Sequence, residues 1–321
     1  MGRVLVTRPL IEGGIDPLLE AGHEVELREV GSILSPDELT RQAPEFDGIV
    51  CHLTDRIDAK VLESGSGGRL RVVANAAVGY DNIDVASADA VGITVCNTPG
   101  VLDDTTADLA FLLILTATRL ATDAESDLRE GRWTGWGFGT HLARDVHGAT
   151  LGLVGFGRIA RAVAQRADGF DMEVIHTARH DTHMTGFVPT LDELLERSDI
   201  VSLHVPLSES TRHLIGAPQF ARMKPTAVLI NTARGPVVDE NALVDALESG
   251  SIYSAGLDVY DGEPKINPRL LAAPRTTLLP HIGSATIATR TRMARLACSG
   301  VCDVLAGRIP PNAVQRASQA T

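Results

Sequence analysis

The chain has 321 residues, 44% of them apolar, and a formal net charge of −12. This length and composition are sufficient for two folded domains with separate cores. The acidic balance makes nucleic acid and anionic membranes poor partners, because the surface field repels phosphate.

Short β-rich runs alternate with helical stretches over the first part of the chain. The predicted strands are RVLVT (3–7), EVELREV (24–30), DGIVCHLT (47–54), RLRVVANAA (69–77) and ITVCNT (93–98). AKVLESG (59–65) and VASADA (85–90) lie between them and have helical patterns. Strand–helix alternation of this kind favours a mainly parallel sheet.

A long helical pattern follows the NTPG turn and runs from Val101 to about Glu130. It contains the longest apolar run of the chain, residues 109–115, which predicts a buried helix and is too short to cross a membrane. A glycine-rich loop then carries both tryptophans, Trp133 and Trp136. The N-terminus has no secretory signal and the four cysteines show no disulfide pattern, so the sequence favours a cytoplasmic protein.

The alternation restarts at Thr150 with more apolar strands. These are TLGLVGFG (150–157), MEVIHTA (172–178), IVSLHVPL (200–207), AVLINTA (227–233), SAGLDVY (254–260) and TTLLPHIG (276–283). Near-continuous apolar strands are typical of a sheet covered on both faces. We therefore predict an α/β protein with two Rossmann-like or flavodoxin-like doubly wound parallel-sheet domains and a cleft between them.

The first of these strands runs into a G-x-G-x-x-A pattern. It comprises Gly155, Phe156, Gly157, Arg158, Ile159 and Ala160. In such a turn the first glycine makes the bend, the second lets the backbone approach a pyrophosphate, and the third small residue lets the helix pack on the strand. The helix N-terminus adds N–H donors. The βαβ context favours dinucleotide binding over a purely structural turn.

The end of the next strand bears on which dinucleotide is bound. An acid there would accept from the ribose 2′-hydroxyl of NAD(H) and repel a 2′-phosphate. The sequence has Ala178 and Arg179 instead, with His180 and Arg158 as further nearby cations. Loss of the acid together with gain of a guanidinium favours NADP(H), with a solvated surface arginine as the alternative.

Three histidines also cluster near this strand end, namely His176, His180 and His183. They lack a companion cysteine or glutamate in the spacing of a metal site. An exposed turn is therefore favoured, and no metal site is predicted.

Three later motifs place polar side chains after apolar strands. Arg234 follows one strand in INTARGPVVDE, Glu263 follows the next in GLDVYDGEP, and His281 lies in LLPHIGSAT. Loops at the carboxyl ends of parallel strands surround the ligand crevice, so these side chains can converge. An arginine to hold a carboxylate, a histidine to give a proton and a carboxylate to stabilise the imidazolium fit hydride transfer to a 2-oxo acid.

Several motifs together resemble the D-isomer-specific 2-hydroxyacid dehydrogenases, particularly the glyoxylate/hydroxypyruvate reductase branch. They span nearly the whole chain: AVGYDNID, NTPGVLDDTTADLAF, GFGRIARAVA, SDIVSLHVPLSESTRHLI, NTARGPVVDENAL, GLDVYDGEP and PHIGSAT. The resemblance implies a discontinuous substrate domain, 1–99 plus 286–321, with an inserted NAD(P)-binding Rossmann domain, 100–285. It also implies a homodimer formed through the inserted domain, and reduction of glyoxylate, hydroxypyruvate or a near relative, with NADP(H) preferred and NAD(H) possible.

The resemblance also carries residue roles onto this sequence. Arg234, Glu263 and His281 match the catalytic positions, and Arg234 and His281 also contact substrate. The backbone of Val78 and Gly79 matches the loop that binds the substrate carboxylate, and Leu53 matches a residue that shapes the pocket. The positions that border the cofactor are Thr106, Val205, Pro206, Thr211, Thr232, Ala233, Asp258, His281 and Gly283, of which Asp258 matches the contact to the nicotinamide carboxamide. Trp136 or Phe138 would reach the pocket of the partner subunit.

Other readings of the same fold stay open. Another D-2-hydroxyacid dehydrogenase is one alternative, either a phosphoglycerate type or a branched 2-oxo acid reductase, although the chain lacks the C-terminal extension of the usual long phosphoglycerate forms. Formate dehydrogenase is disfavoured because it has Gln where Glu263 stands, and phosphite dehydrogenase because no lysine lies near VGYDN. A nucleotide-sensing binding or corepressor protein is the alternative from another class.

Overall fold

The computed structural model describes residues 1–29 and 34–314. Val30, at the end of the second predicted strand, and residues 315–321 of the predicted substrate domain lie outside the described residues. Contacts divide the chain into two compact units: Met1–Leu102 with the chain from Ser284 onward, and Asp103–Gly283. The roles assigned to the two units stay predictions.

The first unit is built on a five-stranded parallel sheet. Its strands are β1 (Arg3–Val6), β2 (Glu24–Leu27), β3 (Gly48–Cys51), β4 (Val72–Asn75) and β5 (Thr94–Cys96). They lie in the order β2-β1-β3-β4-β5, and every neighbouring pair is parallel. All residues of β3 and β4 are buried, as expected for strands covered on both faces. The connecting helices are α1 (Asp16–Glu20), α2 (Pro36–Gln42), α3 (Ala59–Ser66) and α4 (Val85–Ala90).

The second unit contains a six-stranded parallel sheet in the order β11-β10-β9-β8-β6-β7. Its strands are β6 (Thr150–Val154), β7 (Glu173–Thr177), β8 (Ile200–Leu203), β9 (Val228–Asn231), β10 (Ser254–Leu257) and β11 (Thr276–Leu278). Its helices are α5 (Asp103–Thr118), α6 (Ala121–Arg129), α7 (Arg158–Ala167), α8 (Leu191–Arg197), α9 (Ala217–Phe220), α10 (Glu240–Ser249) and α11 (Pro268–Leu271). Because β7 and β8 pair with opposite sides of β6, a topological switch point lies at the carboxyl end of β6.

The last helix, α12 (Ile287–Leu305), belongs to the first unit and packs against its sheet. A Cβ at Gly48 would lie 2.8 Å from Val301 Cγ1, so the absent side chain permits close helix–strand packing. With both sheets wholly parallel and flanked by helices, the prediction of two α/β parallel-sheet domains is confirmed.

The predicted single helix from Val101 to Glu130 is wrong in one respect. Helix α5 ends at Thr118 and α6 begins at Ala121, and the two axes differ by 66°. Leu120 lies between them in the left-handed region, at φ +49°, which interrupts the helical path. Residues 101–130 contain no glycine or proline that would mark the bend in the sequence.

Across the described ranges, no single helix is long and apolar enough to cross a membrane. The bent pair α5 and α6 satisfies that criterion only when the two helices are taken together, by length and composition. Much of α5 is buried against the second sheet, including Ala107, Leu113 and Ile114. Its apolar composition is accounted for by this packing.

Candidate active site

The loop after β6 has the geometry of a dinucleotide-binding turn. Gly155 has φ +87°, and a Cβ there would lie 2.7 Å from the His204 carbonyl oxygen. Gly157 is the N-cap of α7, without a side-chain cap, and among the described residues, apart from its own neighbours in the chain, no atom lies within 4 Å of the position its Cβ would take. Ala160 is fully buried where α7 meets the sheet. The open space above Gly157 and the uncapped N-terminus fit a pyrophosphate.

Beyond β7, Ala178 is half-buried while Arg179 and His180 are exposed. Arg179 makes no hydrogen bond or ion pair within the described part of the chain, so its guanidinium is available to a ligand. Arg158 differs, because its Nε lies 3.2 Å from Asp103 Oδ2. Among the predicted cations near this strand end, Arg158 therefore already has a carboxylate partner.

The predicted cluster of three histidines is not brought together as one exposed group. His176 is fully buried on β7, whereas His180 and His183 are exposed on the following turn. His183 Nδ1 lies 3.5 Å from Asp181 Oδ2. Among residues 1–29 and 34–314, no group of three or more potential metal-binding side chains converges.

Most of the other predicted cofactor residues lie on loops of the second unit, whereas Thr106 is buried on helix α5. Thr211 Oγ1 donates to the Pro206 carbonyl at 2.6 Å and accepts from the Ser208 N–H at 2.8 Å, which closes the loop after β8. Thr232 Oγ1, after β9, is buried without a hydrogen-bond partner in the described structure. A buried hydroxyl without a partner is costly unless a ligand supplies one.

His281 and Glu263 are in direct contact. His281 Nδ1 lies 2.7 Å from Glu263 Oε2, and the second oxygen, Oε1, accepts from the Tyr260 N–H at 2.8 Å. Burial raises the pKa of Glu263, but the hydrogen bond and charge of His281, the Tyr260 N–H and the charge of Arg234 together hold that pKa below its ordinary 4.5. Glu263 therefore stays a carboxylate. By holding Nδ1 it fixes the orientation of the His281 ring, and Nε2 is the ring nitrogen outside this contact.

Arg234 lies after β9, and its loop is held by a neighbour that the motif analysis missed. Asn231 donates from Nδ2 to the Arg234 carbonyl at 2.9 Å and accepts at Oδ1 from the Ala233 N–H at 3.0 Å. The Arg234 guanidinium donates to the Ala233 carbonyl at 2.7 Å. Gly235 abuts the Tyr260 backbone so closely that a Cβ would collide with it. Asn231 sits inside the quoted INTARG motif, yet nothing in the sequence marks an amide as a loop clamp.

Asp258 and Tyr260 tie the loop after β10 to the loop that carries His281. Asp258 accepts from the N–H groups of Ile282 and Gly283 at 2.7 and 2.8 Å, and Tyr260 donates its hydroxyl to the Leu279 carbonyl at 2.8 Å. Burial raises the pKa of Asp258, although the two backbone donors and the charge of His281 act to lower it. Both carboxylate oxygens thus already hold the backbone that follows His281.

The predicted carboxylate loop lies in the first unit. Asn97 Nδ2 donates to the Val78 carbonyl and Asn75 Nδ2 to the Gly79 carbonyl, both at 2.7 Å. Within the described residues, neither the Val78 nor the Gly79 N–H has an intramolecular acceptor. The two asparagines fix the turn through its carbonyls and leave two N–H donors for an anion. Leu53, in the same unit, is half-buried after β3.

Two aromatic side chains stand out on the second unit. Trp136 is 83% exposed and Phe138 is 90% exposed, with their rings edge to face at 6.5 Å. Exposed apolar side chains of this size are more typical of an interface than of a free surface.

The chain is similar to known proteins over nearly its whole length. Residues 111–283 match the model of the D-isomer specific 2-hydroxyacid dehydrogenase family, NAD binding domain. A glyoxylate reductase of Thermococcus litoralis is 42% identical over 98% of this chain and 97% of its own length. The crystal structure of the TT0316 protein from Thermus thermophilus is 43% identical, with a TM-score of 0.91 over 98% of this chain and 100% of that one.

A third relative is an NADPH-dependent glyoxylate/hydroxypyruvate reductase from Sinorhizobium meliloti, solved with NADP and malonate. It is 33% identical, with a TM-score of 0.85 over 98% of this chain and 99% of that one. The family match, the identity over nearly the full chain and the shared fold lead to one conclusion. This chain is an oxidoreductase of the D-isomer specific 2-hydroxyacid dehydrogenase family and has its nicotinamide dinucleotide-binding domain.

Proposed function

We propose that the protein reduces a small 2-oxo acid, glyoxylate or hydroxypyruvate, to the D-2-hydroxy acid, with NADPH as the preferred cofactor. The observation that carries the proposal is the His281–Glu263 contact at 2.7 Å, which joins two strand-end loops of the unit that also contains Arg234. Relatives named glyoxylate reductase, similar over nearly the whole chain, support the substrate class. The bound nicotinamide supplies the hydride.

The residues of this chain supply the proton and the electrostatic stabilisation. His281 gives the proton from Nε2 to the oxygen that becomes negative as the carbonyl is reduced. Glu263 holds Nδ1 and stabilises the imidazolium that stores this proton. Arg234 binds the substrate carboxylate and polarises the ketone through its planar donors. The N–H groups of Val78 and Gly79 bind the carboxylate, and Leu53 contacts the remaining part of the substrate.

The cofactor is proposed to lie along the strand ends of the second unit. Its pyrophosphate meets Gly155, Gly157 and the N-terminus of α7, and its nicotinamide end meets Thr232 and Asp258. The Thr232 hydroxyl is buried without a partner in the described structure, which supports a ligand contact there. Asp258 can still accept from the carboxamide, because each carboxylate oxygen has a second lone pair.

We expect the double substitution Ala178→Asp/Arg179→Ala to reverse cofactor preference. The new carboxylate would repel the 2′-phosphate and accept from a ribose hydroxyl, while the phosphate loses its guanidinium. Loss of a charge-assisted contact should lower kcat/KM with NADPH by about 10- to 100-fold, and kcat/KM with NADH should rise. Steady-state kinetics with both cofactors measure this change, and Arg197→Ala, at an exposed arginine on α8 paired with Glu193, is the matched control. A wild-type enzyme that already prefers NADH would contradict the proposed preference.

Substitution of Glu263 by Gln should move the pH profile of reduction. Because its pKa lies below 4.5, Glu263 is ionised throughout the neutral and mildly acidic range, and it stabilises the protonated form of its partner. A neutral amide removes that stabilisation of the imidazolium. The upper pH limit of reductive turnover should therefore fall. Turnover followed across the pH range by nicotinamide absorbance tests this, and an unshifted limit would exclude the pair as the proton source.

The reaction itself is tested by supplying NADPH with a panel of small 2-oxo acids. Oxidation of NADPH with glyoxylate or hydroxypyruvate, and a D-configured product on a chiral column, would support the proposal. Turnover confined to a branched or phosphorylated acid would assign another substrate within the family. NADPH binding without turnover of any acid would favour a nucleotide-sensing protein.

We also propose a homodimer formed through the second unit, with Trp136 and Phe138 in its interface. Sedimentation of a Trp136→Ser variant tests this assembly.

A further inference from the structure

A buried histidine on β7 contacts a threonine of the loop that carries Arg179. His176 Nε2 is 2.7 Å from Thr182 Oγ1, and the same hydroxyl oxygen accepts from the Met184 N–H at 3.3 Å. His176 Nδ1 is buried without a partner in the described structure. Burial lowers the pKa of His176, which keeps the ring neutral. A neutral ring that is hydrogen-bonded to a loop hydroxyl can hold the loop in place without contributing a charge.

The same ring also touches the dinucleotide turn. His176 stacks on Phe156, with ring centroids 3.6 Å apart and an angle of 15° between the planes. Phe156 stands between Gly155 and Gly157, the two glycines of that turn. One buried histidine therefore contacts both the proposed pyrophosphate turn and the loop proposed to meet the ribose.

The two ends of that loop, residues 178–185, are fixed by the backbone. The His176 N–H donates to the Gly186 carbonyl and the Val188 N–H to the His176 carbonyl, both at 2.8 Å. Gly186 has φ +86°, and a Cβ there would collide with the Val174 carbonyl oxygen. The loop leaves and rejoins β7 at fixed points, so its shape between them depends on contacts made inside it.

Arg179 has no protein partner in the described structure to orient it, and it stands only three residues before Thr182. A long side chain without partners binds tightly only if the backbone that carries it is ordered, because ordering it on binding costs conformational entropy. The hydroxyl of Thr182 supplies the side-chain bond from this loop to the buried strand.

We propose that His176 and Thr182 form a positioning pair for cofactor specificity, which holds the loop so that Arg179 meets the 2′-phosphate of NADPH. This inference rests on the NADPH preference proposed above. The pair touches neither the reacting atoms nor the phosphate, so it acts through Arg179. Its removal should reduce discrimination between the two cofactors rather than the rate of reduction.

The test is Thr182→Val in the full-length protein, which keeps the shape of the side chain and removes the hydroxyl. Thr182→Ser is the matched control, because it keeps the hydroxyl. We expect Thr182→Val to raise the Kd for NADPH by about 5- to 10-fold, the equivalent of one modest hydrogen bond, and the Kd for NADH by less than about 2-fold. Thr182→Ser should stay close to wild type for both. Competition by 2′,5′-ADP and 5′-AMP should show the same contrast without any turnover.

An equal loss of affinity for both cofactors would overturn the inference, because it would mean that the hydroxyl only supports the general fold of the site. An unchanged NADPH affinity would also overturn it. Arg179→Ala separates this failure from that of the proposed function. If Arg179→Ala weakens NADPH binding and Thr182→Val does not, the positioning role alone is wrong. If Arg179→Ala has no effect on NADPH binding, the NADPH preference is wrong as well.

Discussion

Replacement of His281 by alanine is expected to lower kcat for reduction by about 100- to 10,000-fold, the range typical of a lost general acid. His281 is the residue whose ring is held by Glu263 at 2.7 Å with the other nitrogen left for the substrate. Water can replace the proton donor only poorly, because it is neither oriented nor charged. The measurement is single-turnover NADPH oxidation with saturating 2-oxo acid.

Cofactor binding provides the control for this experiment. NADPH affinity should change little in His281→Ala, since the pyrophosphate turn and the Arg179 loop lie on other strand ends. His147→Ala, at an exposed histidine whose Nδ1 lies 3.4 Å from Asp171, should have wild-type turnover. A His281→Ala enzyme that reduces its substrate at a near-normal rate would remove His281 from the mechanism.

The second large effect is expected at Arg234. Arg234→Lys keeps the positive charge but replaces a planar fork of donors by a single ammonium. We expect kcat/KM for the 2-oxo acid to fall by about 100-fold, with a raised KM and a lowered kcat, because two charge-assisted hydrogen bonds cannot both be kept. Arg222→Lys, at an exposed arginine paired with Glu196 at 2.8 Å, is the matched control. Wild-type kcat/KM in Arg234→Lys would mean that this side chain does not bind the substrate.

The strand order and the strand-end loops account for what could be predicted from the sequence. Six apolar runs after Thr150 predict a parallel sheet, and parallel strands bring their carboxyl ends to one edge. Arg234, Glu263 and His281 could therefore be assigned to neighbouring loops. The contact between Glu263 and His281 could be expected from chemistry, while its distance could not.

The rest depends on contacts between residues far apart in sequence. Asn97 and Asn75 hold the Val78–Gly79 turn by their side-chain amides, and asparagine is too common near turns to predict such a role. The bend at Leu120 depends on a single left-handed residue within a continuous helical pattern. His176 belonged to a candidate histidine cluster, yet its side chain is buried while the other two are exposed, which the strand period alone did not settle.

The catalytic loops also bear on how such a protein could diversify. Arg234, Glu263 and His281 follow β9, β10 and β11, which are adjacent strands of one unit, and Asn231, Tyr260 and Asp258 tie their loops to the same backbone. The proposed proton donor and its partners are thus assembled inside one of the two units. The Val78–Gly79 turn and Leu53 lie in the other unit, in the part of the sequence before Asp103. On the roles proposed above, mutation of that earlier stretch would change which 2-oxo acid is bound and leave the proton donor unchanged.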